Sequence, residues 1–308
     1  MPGPWLRLFR PVTLFPVLVL AVVFSLMGLG HGPDLDQWLH ILLAGSLLVV
    51  ANGCSNLINE TSPIDMVADR TNERTKSRPV ASGELDASVV QSVGVIGWLL
   101  SIVVGALFLP SIFVALDALT LTFAWVYSRP PYGKKYLGPN ALNLGVPRGG
   151  LGIAAAWVVY GSFFSPGLWT VLAITVPFVT LGNTAKDIDD QAGDMAAGVE
   201  TVATRWGSEV ARFITLIGVV WPLVVMLMWR LYTGNPWLLL YVVPMFVAIG
   251  GAFKWKGEKL WSRGFYGTYA VLALLLGLPT LLHLLGVGSF TNILTAVEGL
   301  LRALQNPP

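Results

Sequence analysis

Charged residues, cysteine and histidine are all scarce in this chain. Only 12% of the 308 residues are charged, whereas 55% are hydrophobic. A soluble domain carries about 25% charged residues, so the composition argues against a soluble protein and indicates a polytopic membrane protein. The single cysteine, Cys54, excludes an intramolecular disulfide and a cysteine-rich metal centre. The three histidines show no ligand spacing, so the sequence offers no histidine-based metal site.

Long apolar runs fill most of the sequence. They approach or reach the roughly 20 residues that a spanning helix needs, and most lack the polar face of a helix in a soluble protein. We therefore predict an all-α bundle of about nine membrane-spanning helices, in a single domain of residues 1–308 whose last residues, 289–308, form a short amphipathic tail on the membrane surface. The predicted spans cover residues 12–30, 38–58, 88–109, 111–128, 141–161, 168–186, 209–229, 236–253 and 265–287.

Basic residues are distributed unevenly between the predicted loops. If the N-terminus and the loops after the second, fourth, sixth and eighth spans share one side, 17 of the 19 Lys and Arg residues lie on that side, and only Arg230 and Arg302 lie on the other. Basic loops stay in the cytoplasm. The sequence thus predicts an integral protein of the cell or inner membrane.

Two acidic clusters follow apolar spans on this cytoplasmic side. Asp65 and Asp69 are four residues apart, and Asp187, Asp190 and Asp194 follow a spacing of three and four, so each cluster shares one helix face. Neighbouring carboxylates repel unless a cation lies between them, and Mg²⁺ binds one or two carboxylates together with phosphate oxygens of a substrate. The two clusters therefore indicate a site for Mg²⁺ and a diphosphate.

Basic residues follow the first cluster closely, and they allow two interpretations. They would bind the rest of the diphosphate, or they would anchor a cytoplasmic loop to lipid phosphates. These residues are Arg70, Arg74, Lys76 and Arg78. Asp117 is different, because it lies inside the fourth span, where a carboxylate is costly and usually functional or paired; the sequence gives it no role.

The motifs together resemble the UbiA-type intramembrane prenyltransferases over nearly the whole chain. The resemblance is carried by Arg10-Pro11, Asp65-x₃-Asp69, the run from Arg74 to Pro79, Ser82-Gly83, the run from Tyr127 to Pro131, and Lys186-Asp187-x₂-Asp190-x₃-Asp194. One position departs from the family pattern. The family usually has asparagine four residues before the first aspartate, where this chain has Thr61, and Asn59 lies two residues further upstream.

The resemblance implies a bundle around a cavity that opens to the lipid, with the acidic loops at its cytoplasmic end. The implied catalytic residues are Asp65, Asp69, Asp190, Asp194 and Tyr127. The implied Mg²⁺ ligands are Asn59, Asp65, Asp69, Asp187, Asp190 and Asp194, with Thr61 as the alternative to Asn59. The implied diphosphate-binding residues are Arg70, Arg74, Lys76, Arg78, Ser128, Lys134 and Lys186.

The implied reaction is Mg²⁺-dependent transfer of an isoprenyl chain from a prenyl diphosphate to a hydrophobic acceptor. The sequence Tyr127-Ser128-x-Pro-Pro is similar to the quinone- and chlorin-prenylating branches, which favours an aromatic or conjugated cyclic acceptor. The main alternative is an archaeal-type enzyme that alkylates a prenylated glycerol phosphate. An alternative of another class is a divalent-cation transporter, although transport favours acidic groups near the bilayer midplane. The lipid bilayer is an expected partner, and nucleic acid is not.

Overall fold

Helices make up all the regular secondary structure in the part of the chain that the computed structural model describes. That part comprises residues 3–73 and 75–233, together with Phe265, Tyr269, Leu272 and Leu276, and it contains no strand. The α-helices are α1 (Pro4–Phe9), α2 (Pro11–Leu29), α3 (Leu35–Glu60), α4 (Pro63–Thr71), α5 (Ala87–Phe108), α6 (Ser111–Ser128), α7 (Leu137–Val146), α8 (Gly152–Trp157), α9 (Pro166–Gly182), α10 (Thr184–Ala196), α11 (Val202–Trp206) and α12 (Ser208–Thr233).

The first four predicted spans correspond closely to α2, α3, α5 and α6. The predicted turn at Pro110 is confirmed, because α5 ends at Phe108 and α6 begins at Ser111. The seventh predicted span corresponds to α12. The eighth span, most of the ninth and the amphipathic tail lie outside the described residues; the four described residues of the ninth span are helical.

The fifth predicted span is interrupted. A π-helical turn at Pro147–Leu151 separates α7 from α8. Proline has no N–H for a helical hydrogen bond, and a single π turn accommodates the irregular ladder. The Thr175 hydroxyl of α9 donates to the Gly149 carbonyl at 2.5 Å, so a neighbouring helix satisfies part of the altered backbone.

Five helical stretches among the described residues are long and apolar enough to cross a membrane. They are Leu35–Glu60, Ala87–Phe108, Ser111–Ser128, Pro166–Ala196 and Ser208–Met228, and α2 contributes a shorter apolar stretch, Leu14–Leu29. Large apolar side chains on α5 remain exposed, including Ile96, Leu99 and Leu107. Such an exposed apolar surface is unfavourable in water and favourable in the hydrocarbon core of a lipid bilayer. The chain is therefore an integral membrane protein.

The packing brings the two acidic segments together. α3 packs against α2, α5 and α6, and the short helix α4 follows it directly. α10 continues from the end of α9 and packs against α4. A Cβ atom on Gly193 of α10 would lie 2.7 Å from the Ala68 carbonyl oxygen of α4, which is closer than a side chain tolerates. Glycine at position 193 therefore permits the close approach of the two acidic helices.

Candidate active site

The two acidic helices form opposite walls of a polar cleft. Pro63 occupies the first turn of α4, where its missing N–H costs nothing, and Asp65 in the same turn is favoured by the positive end of the helix dipole. Asp65 and Asp69 then face the same side and are buried. On α10, Asp187, Asp190 and Asp194 face the cleft. The predicted shared helix faces therefore meet each other.

The cleft combines carboxylates, cations and amides from several separate segments of the chain. Its lining residues are Arg10, Asn59, Asp65, Ala68, Asp69, Asn72, Arg78, Tyr127, Lys134, Asn140, Lys186, Asp187, Asp190, Gly193, Asp194 and Val199. Ten of the residues named from the sequence are thus brought together. Few apolar side chains interrupt this surface, which suits it to a highly charged ligand.

Three of the carboxylates are held by basic side chains. Lys134 Nζ donates to Asp65 Oδ1, and both residues are buried. Arg78 Nη1 lies 2.8 Å from each oxygen of the Asp69 carboxylate. Lys186 Nζ lies 3.0 Å from Asp190 Oδ2, one helical turn away. Three of the cations that the family resemblance assigns to the diphosphate therefore lie beside the carboxylates.

Burial and the neighbouring charge shift the pKa values of these paired side chains in opposite directions. Burial raises the pKa of Asp69, and Arg78 opposes this rise only in part. Burial acts to lower the pKa of Lys134, but the Asp65 carboxylate outweighs it and holds the Lys134 pKa above its ordinary value. Lys134 thus stays charged, and its ammonium lies 5.5 Å from the centre of the Tyr127 ring, a distance at which cation–π attraction contributes.

The donor set of the cleft suits Mg²⁺. Carboxylate and amide oxygens are the protein ligands of hard divalent cations, and the buried Asp65 Oδ2 has no hydrogen-bond partner within the described residues. In the same part of the chain, no three acidic, histidine or cysteine side chains converge as a ready-made metal site. Three of the carboxylates contact a lysine or arginine instead.

The positions of Asn59 and Thr61 differ clearly. Asn59 lines the cleft, and its Oδ1 accepts a hydrogen bond of 3.3 Å from the Ser128 hydroxyl. Thr61 is buried elsewhere: its hydroxyl donates to the Ile58 carbonyl and accepts from Arg129 Nη2 at 2.6 Å. α3 ends at Glu60 and α4 begins at Pro63, so the helix is broken between Asn59 and Asp65.

Some residues predicted to bind diphosphate do not reach the cleft. Arg70 follows Asp69 on α4 but points to another side, and its Nε donates to the Ala81 carbonyl at 3.2 Å. Lys76 is exposed and pairs with Glu73 at 2.5 Å. Within the described residues, Ser128 does not line the cleft itself, and its hydroxyl donates to Asn59, which does. Arg74 lies outside the described residues.

Other residues line the cleft that the sequence did not single out as site residues. In the sequence, Arg10 is noted only as part of a motif, and Asn140 directly precedes the fifth predicted span. Asn140 is buried, and its Oδ1 has no hydrogen-bond partner in the described part of the chain. A polar amide next to the start of an apolar run is the available signal for Asn140. Asn72 and Gly193 also line the cleft, and only the packing of α4 on α10 reveals them.

A family model and a sequence relative both connect this chain with prenyltransferases. A model of the UbiA prenyltransferase family matches residues 14–264. The 4-hydroxybenzoate octaprenyltransferase of Polynucleobacter asymbioticus is 29% identical over 205 residues, which cover 66% of this chain and 67% of that protein.

Solved structures show the same fold. The structure of a UbiA homolog from Archaeoglobus fulgidus bound to GPP and Mg²⁺ superposes with a TM-score of 0.71 at 17% identity, over 90% of this chain and 99% of that one. A structure of digeranylgeranylglyceryl phosphate synthase gives a TM-score of 0.62 at 17% identity, over 89% and 95% of the two chains. Because the family model covers most of the sequence, we conclude that this chain belongs to the UbiA prenyltransferase family and is an enzyme that transfers prenyl groups.

Proposed function

We propose that this enzyme transfers an isoprenyl chain from a prenyl diphosphate to an aromatic or conjugated cyclic acceptor, with Mg²⁺ as cofactor. The observation that carries the proposal is the polar cleft, in which two acidic helices face each other and basic side chains lie between them. The solved A. fulgidus homolog holds GPP and Mg²⁺, which supports the same pair of ligands here.

The carboxylates are assigned to the metal. Asp65 and Asp69 on α4, with Asp187, Asp190 and Asp194 on α10, would hold Mg²⁺ together with the amide oxygen of Asn59. When bound, Mg²⁺ supplies positive charge that stabilises the diphosphate as it leaves.

The basic residues of the cleft are assigned to the diphosphate. Arg78, Lys134 and Lys186 lie beside the carboxylates, and Arg10 reaches the cleft from the start of α2. In the reaction the bond between the isoprenyl carbon and the diphosphate oxygen breaks, and its electron pair leaves with the diphosphate. Fixed cations stabilise that negative charge where it develops, without reorganisation of solvent.

The allylic cation then meets the acceptor. A carbon of the acceptor ring forms the new bond and loses its proton, which restores conjugation. Water would convert the allylic cation to an alcohol, so the reaction needs an enclosed apolar chamber. Tyr127 lies at the junction of the polar cleft and the end of α6, where its ring is placed to face the start of the isoprenyl chain.

The acceptor class is proposed from the relatives. The P. asymbioticus relative acts on 4-hydroxybenzoate, which supports a quinone-precursor acceptor. The digeranylgeranylglyceryl phosphate synthase shares the fold at low identity, so a prenylated glycerol phosphate is the second candidate. Membership of the prenyltransferase family accounts for the acidic helices without cation transport.

The experiment that tests this function is direct. Purified protein is incubated with Mg²⁺, prenyl diphosphates of several lengths, and either 4-hydroxybenzoate, a chlorin acid or a prenylated glycerol phosphate, and the products are identified by mass spectrometry. A prenylated ring acceptor supports the proposal. A product formed only from the glycerol phosphate would replace it with the second candidate.

The membrane arrangement completes the proposal. We propose nine spans in a single domain of residues 1–308, a lipid-open central cavity, an amphipathic tail at 289–308, and acidic segments that face the cytoplasm. The excess of basic residues on one side supports this orientation.

A further inference from the structure

Glu60, the last residue of α3, is a buried carboxylate outside the set assigned above. Its side chain is only 2% exposed, and an ionised carboxylate at such a position is costly unless it is paired. It directly follows Asn59, which lines the cleft. The contacts of Glu60 therefore bear on the geometry of the site.

Two arginines from different parts of the chain meet on Glu60. Its Oε1 accepts a hydrogen bond from Arg10 Nη2 and lies 3.6 Å from Arg78 Nη1. Its second oxygen, Oε2, has no hydrogen-bond partner among the described residues. The described contacts of Glu60 thus tie the junction of α1 and α2 and the loop after α4 to the end of α3.

The backbone at Arg10 is unusual. Its φ of 50° places it in the left-handed region, which non-glycine residues seldom adopt, and the next residue is Pro11, whose own φ is fixed. Such conformations persist where the surrounding structure holds them, and they cluster at functional sites. The ion pair with Glu60 is a contact that holds the side chain of this strained residue at the cleft.

The guanidinium group of Arg78 lies near two carboxylates, those of Asp69 and Glu60. Arg78 Nη1 lies 2.8 Å from each oxygen of the Asp69 carboxylate and 3.6 Å from Glu60 Oε1. Glu60 is therefore a second carboxylate beside Arg78, and unlike Asp69 it is not assigned to the metal by the proposed function.

We propose that Glu60 is a positioning residue for the donor diphosphate. It does not contact the diphosphate, but it fixes Arg10 and Arg78 so that two guanidinium groups face the diphosphate from one side of the cleft. The inference rests on the proposed function, because it requires that this cleft binds a prenyl diphosphate.

The chain supplies a matched control for this inference. Arg7 of α1 forms an ion pair with Glu84, also between the start of the chain and the loop after α4, but this pair is exposed and does not line the cleft. The variants E60Q and E84Q each neutralise one carboxylate that ties the same two regions together. Only E60Q removes a partner of residues at the cleft.

The test measures binding of inorganic diphosphate in the presence of Mg²⁺ by calorimetry, and steady-state kinetics with a prenyl diphosphate. We expect E60Q to weaken diphosphate binding about tenfold, the lower end of the loss seen when a partner that orients a ligand-binding group is removed. We also expect it to raise KM for the donor more than it lowers kcat. E84Q should match the parent. Parental binding and KM in E60Q, whatever its thermal stability, would overturn the inference.

Two further measurements keep the outcome unambiguous. If E60Q does not yield folded protein, E60D is the substitute, because it keeps the charge but moves it away from the two arginines. The same rise in donor KM is expected for E60D, and an unchanged KM would overturn the inference.

In an Arg10→Ala background, E60Q should weaken diphosphate binding less than it does in the parent. An equal loss in both backgrounds would contradict action through Arg10. If the parent itself binds no diphosphate, the proposed function fails, and that result is distinct from a failure of E60Q alone.

Discussion

At the scale of single residues, the carboxylates of the cleft are not equivalent. Asp65 compensates the buried ammonium of Lys134, so removing Asp65 would leave a buried charge unpaired and cost about 3–5 kcal/mol of stability. Asp194 also lines the cleft, but its side chain forms no hydrogen bond or ion pair within the described residues. Asp194 is therefore the better position at which to separate catalysis from folding.

Replacing Asp194 with Asn should lower turnover by orders of magnitude with little change in thermal stability. The physical reason is the loss of a carboxylate that we propose as a metal ligand, which would weaken stabilisation of the leaving group by several kcal/mol. The measurement is the rate of prenyl transfer at saturating Mg²⁺. Asp189→Asn, a change on the same helix but outside the cleft lining, is the control and should retain the parental rate. Full activity of the parent in EDTA would disprove the metal-dependent mechanism.

The asparagine of the first motif gives a second prediction at this scale. Asn59→Ala should raise the Mg²⁺ concentration required for activity roughly 10–100-fold, as expected for a ligand or its close support. Thr61→Val should leave that requirement unchanged, because the Thr61 hydroxyl contacts Ile58 and Arg129 rather than the cleft. Mg²⁺ titrations of both variants check the assignment. A shift in Thr61→Val alone would return the role to Thr61.

At the scale of helices, the site depends on how closely α10 approaches α4. Gly193→Ala would place a methyl group 2.7 Å from the Ala68 carbonyl oxygen, and overpacking of this kind costs about 1–3 kcal/mol. We expect lower thermal stability and a clear loss of prenyl transfer, because the acidic helices move apart.

Gly138→Ala is the control for that helix-level prediction. A Cβ atom at Gly138 of α7 would contact nothing within 4 Å, and alanine favours helix over glycine. Stability and activity equal to or above the parental values are expected for Gly138→Ala. Parental activity in Gly193→Ala would show that the approach of α4 and α10 is not needed.

Helices were more predictable from sequence than the site. The apolar runs located α5 and α6 to within a residue, because a lipid-facing helix must be apolar over its whole length. Hydrophobicity could not reveal the π turn at Pro147, since the turn depends on local backbone geometry and on the Thr175 hydroxyl of α9, which donates to the Gly149 carbonyl. The four-residue spacing likewise predicted that Asp65 and Asp69 share one helix face. The ion pair between Glu60 and Arg10 could not be predicted in this way, because the two residues are far apart in the sequence and meet only when their segments pack together.

At the scale of the whole molecule, orientation is the main prediction. In a Cys54→Ala background, which removes the only cysteine, a cysteine at Ser77 should react with an impermeant thiol reagent only from the cytoplasmic side. A cysteine at Ser162, in the loop before α9, should react only from the opposite side. Both serines are exposed. The reverse pattern would invert the proposed topology.

The contact between Ala68 and Gly193 also constrains how the enzyme is made. Ala68 belongs to the first half of the chain and Gly193 to the second, so a ribosome completes α9 before the two acidic walls can meet. Until then, the growing chain carries a loop of closely spaced acidic and basic groups without the opposite wall of its cleft. A chain that ends before α10 therefore lacks one acidic wall of the cleft, so the site can be complete only late in synthesis.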